Sequence, residues 1–162
     1  MQSAFKTHHS TETALIDIVD RMLLNLNDNQ INGLVFADFQ KAFDLVNHAE
    51  ILIEKLRIYG LEDNSLILVR SFFQNRRQRT VIRSAQSSPQ ALTHGVPQGS
   101  VLSPLLFLVH INDLPEAVSQ PTTVDIFADD TTLSSHSPYT NTPGLCSRLC
   151  QSTLELKKMD RQ

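Results

Sequence analysis

Apolar positions along the chain switch between a helical and an alternating period. Ala14, Leu15, Ile18, Val19, Met22, Leu23 and Leu26 recur at helical spacing and predict one amphipathic helix to about Leu26, capped by Ser10 or Thr11. Asn25 to Asn32 is polar and turn-rich, Gly33 closes it, and Leu34 to Phe39 reads as a short strand that delivers Asp38. Ala49 to Tyr59 predicts a helix ending at Gly60, where a left-handed residue is cheapest, and Asn64 can cap the next, which carries Leu66, Ile67, Val69, Phe72 and Phe73. Thr80, Val81 and Ile82 favour a strand, 84–90 reads as a loop, and Ala91 to Thr93 as a short strand. A glycine-containing turn from Gly95 enters a helix carrying Leu105, Leu106, Leu108, Val109 and Ile111, stopped by Pro115. Val124 to Leu133 forms a hairpin, a loop follows to Gly144, and a last helix runs from about Leu145 to Met159.

Helices interspersed with strands, at least one hairpin among them, indicate an α+β domain. The expected arrangement has helices packed on one face of a largely antiparallel sheet, with the other face left free as the floor of a cleft. The 162 residues are 41% hydrophobic, enough for one globular domain with a core. A net charge of -3 gives no global attraction for nucleic acid, so phosphate contacts must come from a local basic stretch or from bound metal. Cys146 and Cys150 supply only half of a structural zinc site and read as reduced thiols, which points to an intracellular setting. The most apolar run, Val101 to Ile111, is too short to span a bilayer, and the N-terminal residues lack the apolar core of a signal peptide.

Candidate chemistry centres on carboxylates at strand ends. Asp129 and Asp130 occupy the tip of the predicted hairpin, and Asp38 ends the earlier strand. Two such strands lying side by side would bring three acidic groups together, a set able to hold two Mg²⁺ for phosphoryl transfer. Asp is also a common turn residue, and by itself the pair reads first as a polar hairpin tip. Arg76, Arg77, Arg79 and Arg83 fall within ten residues of strand-forming sequence. They suit either a solvated edge strand or a strip contacting phosphates.

Three motifs in order, Phe36-Ala37-Asp38-Phe39-Gln40-Lys41-Ala42-Phe43-Asp44, Gly95 to Pro104 and Phe127-Ala128-Asp129-Asp130, resemble the palm motifs of reverse transcriptases, in the flavour of the non-LTR, LINE-type retrotransposon enzymes. Gln2-Ser3-Ala4-Phe5, Leu56 to Leu61, Asn75 to Gln78 and Ile111 to Pro115 are similar as well, so the resemblance covers nearly the whole chain. It implies an RNA-directed DNA polymerase working on an RNA template with a DNA primer and dNTPs. Asp38 and Asp129 would be the principal ligands of two Mg²⁺, replaceable by Mn²⁺, with Asp130 the third acidic member and the Phe39 carbonyl a further ligand. Ala42 would flank the nucleotide sugar. Phe43 would exclude a 2′-hydroxyl by a clash, although a phenylalanine is more often simply core. Gln98 would lie against the incoming nucleotide, Gly99 would permit close approach, and Arg76, Arg77 and Arg79 would contact template or primer.

Set against that family, residues 1–162 match one partial domain, a palm with part of the fingers and no thumb, expected to polymerise weakly or not at all alone. The thiols, the short apolar run and the N-terminal residues make a soluble intracellular protein of cytoplasm or nucleus the expectation, with no membrane contact and no specific protein partner inferred. The competing expectations are a catalytically inert nucleic-acid-binding remnant of a retroelement and a phosphoryl-transfer receiver domain. In the receiver the Asp pair precedes the single Asp, the reverse of the order here.

Overall fold

A computed structural model describes residues 2–39, 41–47 and 51–159. The expected start of a helix at Ala49 lies outside the described residues. The fold is mixed α+β, with small antiparallel sheets and helices. The chain divides into two compact units, residues 1–40 with 111–162, and residues 41–110.

The first unit is built on a three-stranded antiparallel sheet of β1 (Gln30–Asp38), β6 (Thr123–Phe127) and β7 (Asp130–Pro138), in the order β1-β7-β6. β7 is central and alternates strictly, with Thr131, Leu133, Ser135 and Ser137 buried. Those positions share a face with Gly33 by cross-strand register, and a β-carbon on Gly33 would come within 2.6 Å of Leu149 Cδ1. Helix α5 (Thr142–Met159) therefore lies close on that face. Leu133, Val124, Ile126, Leu145, Leu149 and Leu156 are buried, each such side chain contributing about 1.5–3 kcal/mol of transfer free energy. The small side chains of Ser135 and Ser137 let helix and strand approach. They are also why the sequence from Ser134 to Pro138 reads as loop although it forms strand.

Helix α1 (Thr11–Asn27) begins at a capping box between Ser10 and Thr13. It lies on the opposite face of the sheet. Asn32 Nδ2 donates to Met22 O at 3.0 Å, and Arg21 pairs with Asp125, whose side chain shares the face of Thr132 and Phe127. Helices thus flank both faces, correcting the expectation of a one-sided sheet. The predicted apolar stripe is also only half used. Ile18 and Met22 line the cleft towards the sheet, while Leu15, Val19, Leu23 and Leu26 are exposed.

The second unit packs α2 (Ile51–Ile58) against α3 (Asp63–Phe73), with Leu52, Ile53, Leu56, Leu66 and Phe73 buried. Glu62, not Asn64, occupies the N-cap of α3, and its side chain makes no capping bond. Short strands form two nested ribbons: β2 (Arg77–Gln78) pairs with β5 (Gln90–Ala91), and β3 (Val81–Ile82) with β4 (Ala85–Gln86). The stretch 84–90, read as a loop, therefore carries β4 and the first residue of β5, whose exposed side chains give no alternating pattern to announce them. Helix α4 (Ser103–Ile111) completes the unit. Among the described residues no helix is long and apolar enough to cross a membrane.

Candidate active site

The β1–β7 ladder runs in register from Gln30 opposite Pro138 to Asp38 opposite Asp130. Directly opposed residues project to the same side of a sheet, with β-carbons about 4.5–5.5 Å apart. Asp38 and Asp130 are therefore neighbours at one end of the sheet, and both are exposed. Phe127 pairs with Asp130 across the β6–β7 hairpin, leaving Ala128 and Asp129 as its two-residue tip. Ala128 has φ 57°, whereas Asp129 is not among the positive-φ residues. That is the pattern of a type II′ turn, in which glycine ordinarily fills the first central position. Asp129 follows it, half-buried.

On the same face Phe36 is 77% exposed, so α1 leaves the end of the sheet that bears Asp38 open. A cleft beneath α1 reaches Asp130 and is lined by Asp17, Arg21, Asp125 and Thr132. The Arg21–Asp125 pair ties the helix to β6 beside this cleft.

All three candidate ligands offer carboxylate oxygens, the donors that hard cations such as Mg²⁺ take, so the donor chemistry fits a divalent ion. As the side chains stand, no three His, Cys, Asp or Glu among the described residues gather into a group able to hold a metal. Ladder register brings the backbones of Asp38 and Asp130 side by side, with Asp129 at the adjoining tip.

Within the second unit, two turns are stitched together. Gly95 N–H donates to Val46 O and Val96 N–H to Phe43 O, both at 2.8 Å. A β-carbon on Gly95 would meet Asp44 O at 2.8 Å, so only glycine permits this approach. Gln98 Nε2 donates to Asp44 Oδ1 at 3.3 Å, and Gln98 is exposed. Gly99 has φ 83° with open space where a β-carbon would sit. Ser103 Oγ donates to Pro97 O at 2.5 Å, and Ser103 N–H donates to Ser100 Oγ at 3.1 Å. These bonds anchor the turn to the first residue of α4, so the glycine turn ends three residues before the helix rather than at it. Phe43 is half-buried and stacks on Phe107, ring centroids 4.1 Å apart at 22°. Phe39 and Ala42 are half-buried.

Of the arginines, Arg76 lies over the Phe72 ring, 4.4 Å from its centroid, and its Nε donates to Phe72 O. Arg77 and Arg79 are exposed on the ribbon. The sequence pattern missed Arg21–Asp125 and Gln98–Asp44. Charge or amide pairs on separate elements carry no periodicity, so no signal in the chain pointed to either. Cys146 and Cys150 are both free thiols and exposed.

Residues 1–158 match the family described as reverse transcriptase (RNA-dependent DNA polymerase). The chain is 32% identical over 114 residues to a probable RNA-directed DNA polymerase from transposon BS of Drosophila melanogaster, covering 70% of this chain and 12% of that protein. It is 30% identical over 136 residues to the RNA-directed DNA polymerase from mobile element jockey of the same species, covering 80% of this chain and 15% of that protein. It is likewise 30% identical over 132 residues to a probable RNA-directed DNA polymerase from transposon X-element, covering 80% of this chain and 14% of that protein. The chain thus spans between 12% and 15% of the length of these relatives.

Proposed function

Because the chain belongs to the reverse transcriptase family, we propose that its residues form the catalytic core of an RNA-directed DNA polymerase of the non-LTR retrotransposon type. The core would add dNTPs to a DNA primer on an RNA template, inside the cell. The observation that supports this most directly is the pairing of Asp38 with Asp130 beside the tip that carries Asp129.

Asp38 and Asp129 would hold two divalent ions, with Asp130 and the Phe39 carbonyl as further oxygen donors. When bound, such ions lower the pKa of the attacking 3′-hydroxyl and neutralise charge on the leaving pyrophosphate. The remaining work is positioning. By their match to the family motifs, Gln98 and Gly99 would contact the incoming nucleotide and Ala42 would flank its sugar. Phe43, which stacks on Phe107, would exclude a 2′-hydroxyl by a clash. Arg77 and Arg79, exposed on a ribbon, suit phosphate contacts that hold a duplex without reading its sequence. Arg76, already engaged with Phe72, shapes the ribbon and reaches template or primer less freely.

Primer extension on an RNA template with Mg²⁺ tests the reading. Incorporation falls to background in Asp38→Asn and Asp129→Asn. Equal incorporation above background by wild type and Asp129→Asn would remove the site.

One observation favours a second reading, a catalytically inert nucleic-acid-binding remnant: the carboxylates are not gathered into a metal-holding group as they stand. Binding of an RNA–DNA duplex that weakens steeply with salt, with no incorporation under any divalent ion, would favour it.

A further inference from the structure

Gln2 is only 7% exposed. Its backbone forms a parallel bridge with Ile126 of β6, and Ser3 N–H donates to Ile126 O at 2.9 Å. From there the Gln2 amide reaches past the strand into the hairpin tip. Its Oε1 accepts from Ala128 N–H at 3.3 Å, and its Nε2 donates to Ala128 O at 3.4 Å. The same Oε1 accepts from Ala4 N–H at 2.8 Å, which holds the amide in place.

A primary amide carries the donor and acceptor of a peptide group. Gln2 therefore pairs with Ala128 as the backbone of a neighbouring strand would. Ala128 is also the tip residue with positive φ, a conformation that persists in a non-glycine residue only where its surroundings over-determine it. Rotating either peptide flanking Ala128 would break one of its two bonds to the buried Gln2, and a hydrogen bond lost at a buried group is costly. The same rotation would swing Asp129, the next residue in the chain.

We infer that Gln2 is a positioning residue for the carboxylate hairpin: by holding both backbone polar groups of Ala128, it fixes the turn that presents Asp129 and Asp130 beside Asp38. The inference rests on the proposed reading of these three carboxylates as the metal-ligand set.

Two measurements on the full 162-residue chain test it. Amide hydrogen exchange at Ala128 reads the clamp with no metal present. Mn²⁺-induced broadening of the Asp129 and Asp130 amide resonances reads the ligand set. In Gln2→Leu, which keeps the bulk and removes the hydrogen bonds, exchange at Ala128 accelerates about tenfold while the β1–β7 ladder stays protected. The Mn²⁺ concentration needed to broaden Asp129 and Asp130 rises several-fold in parallel. Gln2→Glu keeps the acceptor for Ala4 and Ala128 and loses the donor, so it falls between wild type and Gln2→Leu. It also supplies the comparison if Gln2→Leu loses protection throughout the sheet. Unchanged exchange at Ala128 overturns the clamp. Faster exchange with an unchanged Mn²⁺ response overturns the positioning role. A wild-type Mn²⁺ response that Asp129→Asn does not weaken overturns the metal-ligand reading, and the exchange result then judges the clamp separately.

Discussion

Asp38 stands directly opposite Asp130 in the β1–β7 ladder, and the two carboxylates project to the same side of the sheet. Like charges so placed repel, and because both residues are exposed the cost is a few tenths of a kcal/mol, roughly 0.2–0.5. Asp38→Asn is therefore expected to raise the melting temperature slightly in metal-free buffer. Adding Mg²⁺ stabilises the wild type and leaves the variant nearly unchanged. Thermal melts with and without Mg²⁺ check this, and a variant less stable than wild type in metal-free buffer would contradict it.

Ala128 holds φ 57° where a two-residue hairpin ordinarily has glycine. Relief of that strain is worth about 1–3 kcal/mol, and the added freedom of glycine in the unfolded chain takes back roughly 0.4–1 kcal/mol. Ala128→Gly should thus be neutral to stabilising by up to about 2 kcal/mol. Ala128→Val should destabilise, since a β-branched residue tolerates positive φ least. Urea unfolding curves decide the sign.

Phe43 stacks on Phe107 in the second unit. Phe43→Ala removes that stack and, the site being half-buried, costs roughly 2–3 kcal/mol, below the range for fully buried phenylalanine. If its outer edge also excludes the 2′-hydroxyl, the same variant incorporates ribonucleotides at an increased rate relative to dNTPs. Stability loss with unchanged sugar selection would leave Phe43 a packing residue only.

Arg77 and Arg79 project from an exposed ribbon. Replacing both by alanine should flatten the salt dependence of duplex binding by about two phosphate contacts, with a similar loss for every sequence. Fold stability should not move by more than about 0.5 kcal/mol. An unaltered salt slope would return both residues to the role of solvated edge charges.

Glu155 of α5 accepts from Gln151 Nε2 at 3.0 Å and from the backbone N–H and hydroxyl of Ser119 at 3.0 and 3.1 Å. These bonds, the Gln151 amide first and the Ser119 backbone next, hold its carboxyl below the usual glutamate range. A carboxyl lowered on folding contributes stability that is present above its unfolded pKa and lost as pH falls through the folded one. The tie between α5 and Ser119 therefore weakens in acid, below about pH 4.3, and is intact at neutral pH. Glu155→Gln should be less stable than wild type at pH 7 and converge with it at low pH. A difference that stays constant across pH would contradict the assignment.

Strands with alternating apolar residues were legible from the chain: Val124 and Ile126 of β6, and Val35 of β1, announce themselves. The second half of β7 was not, because Ser134, Ser135, His136 and Ser137 carry no apolar signal. What makes that segment a strand is ladder pairing with β1 on one side and the close approach of α5 over Ser135 and Ser137. Of the ribbon strands, β3 was legible in Val81 and Ile82 and β5 in part at Ala91, whereas β2 and β4, exposed pairs with no core to point to, were not.

The amino-acid order by itself determined the carboxylates at strand ends, the glycine turn, the spacing of Phe43 from Asp38 and the mixed α+β class, since each follows from local chemistry a few residues long. Only the tertiary structure decided which carboxylate faces which, because register is set by the whole β1–β7 ladder and a one-residue slip would turn Asp38 to the other face. It alone also decided that α1 lies across the face once expected to be free, and that a buried Gln2 amide holds Ala128. Both depend on contacts between residues more than a hundred positions apart.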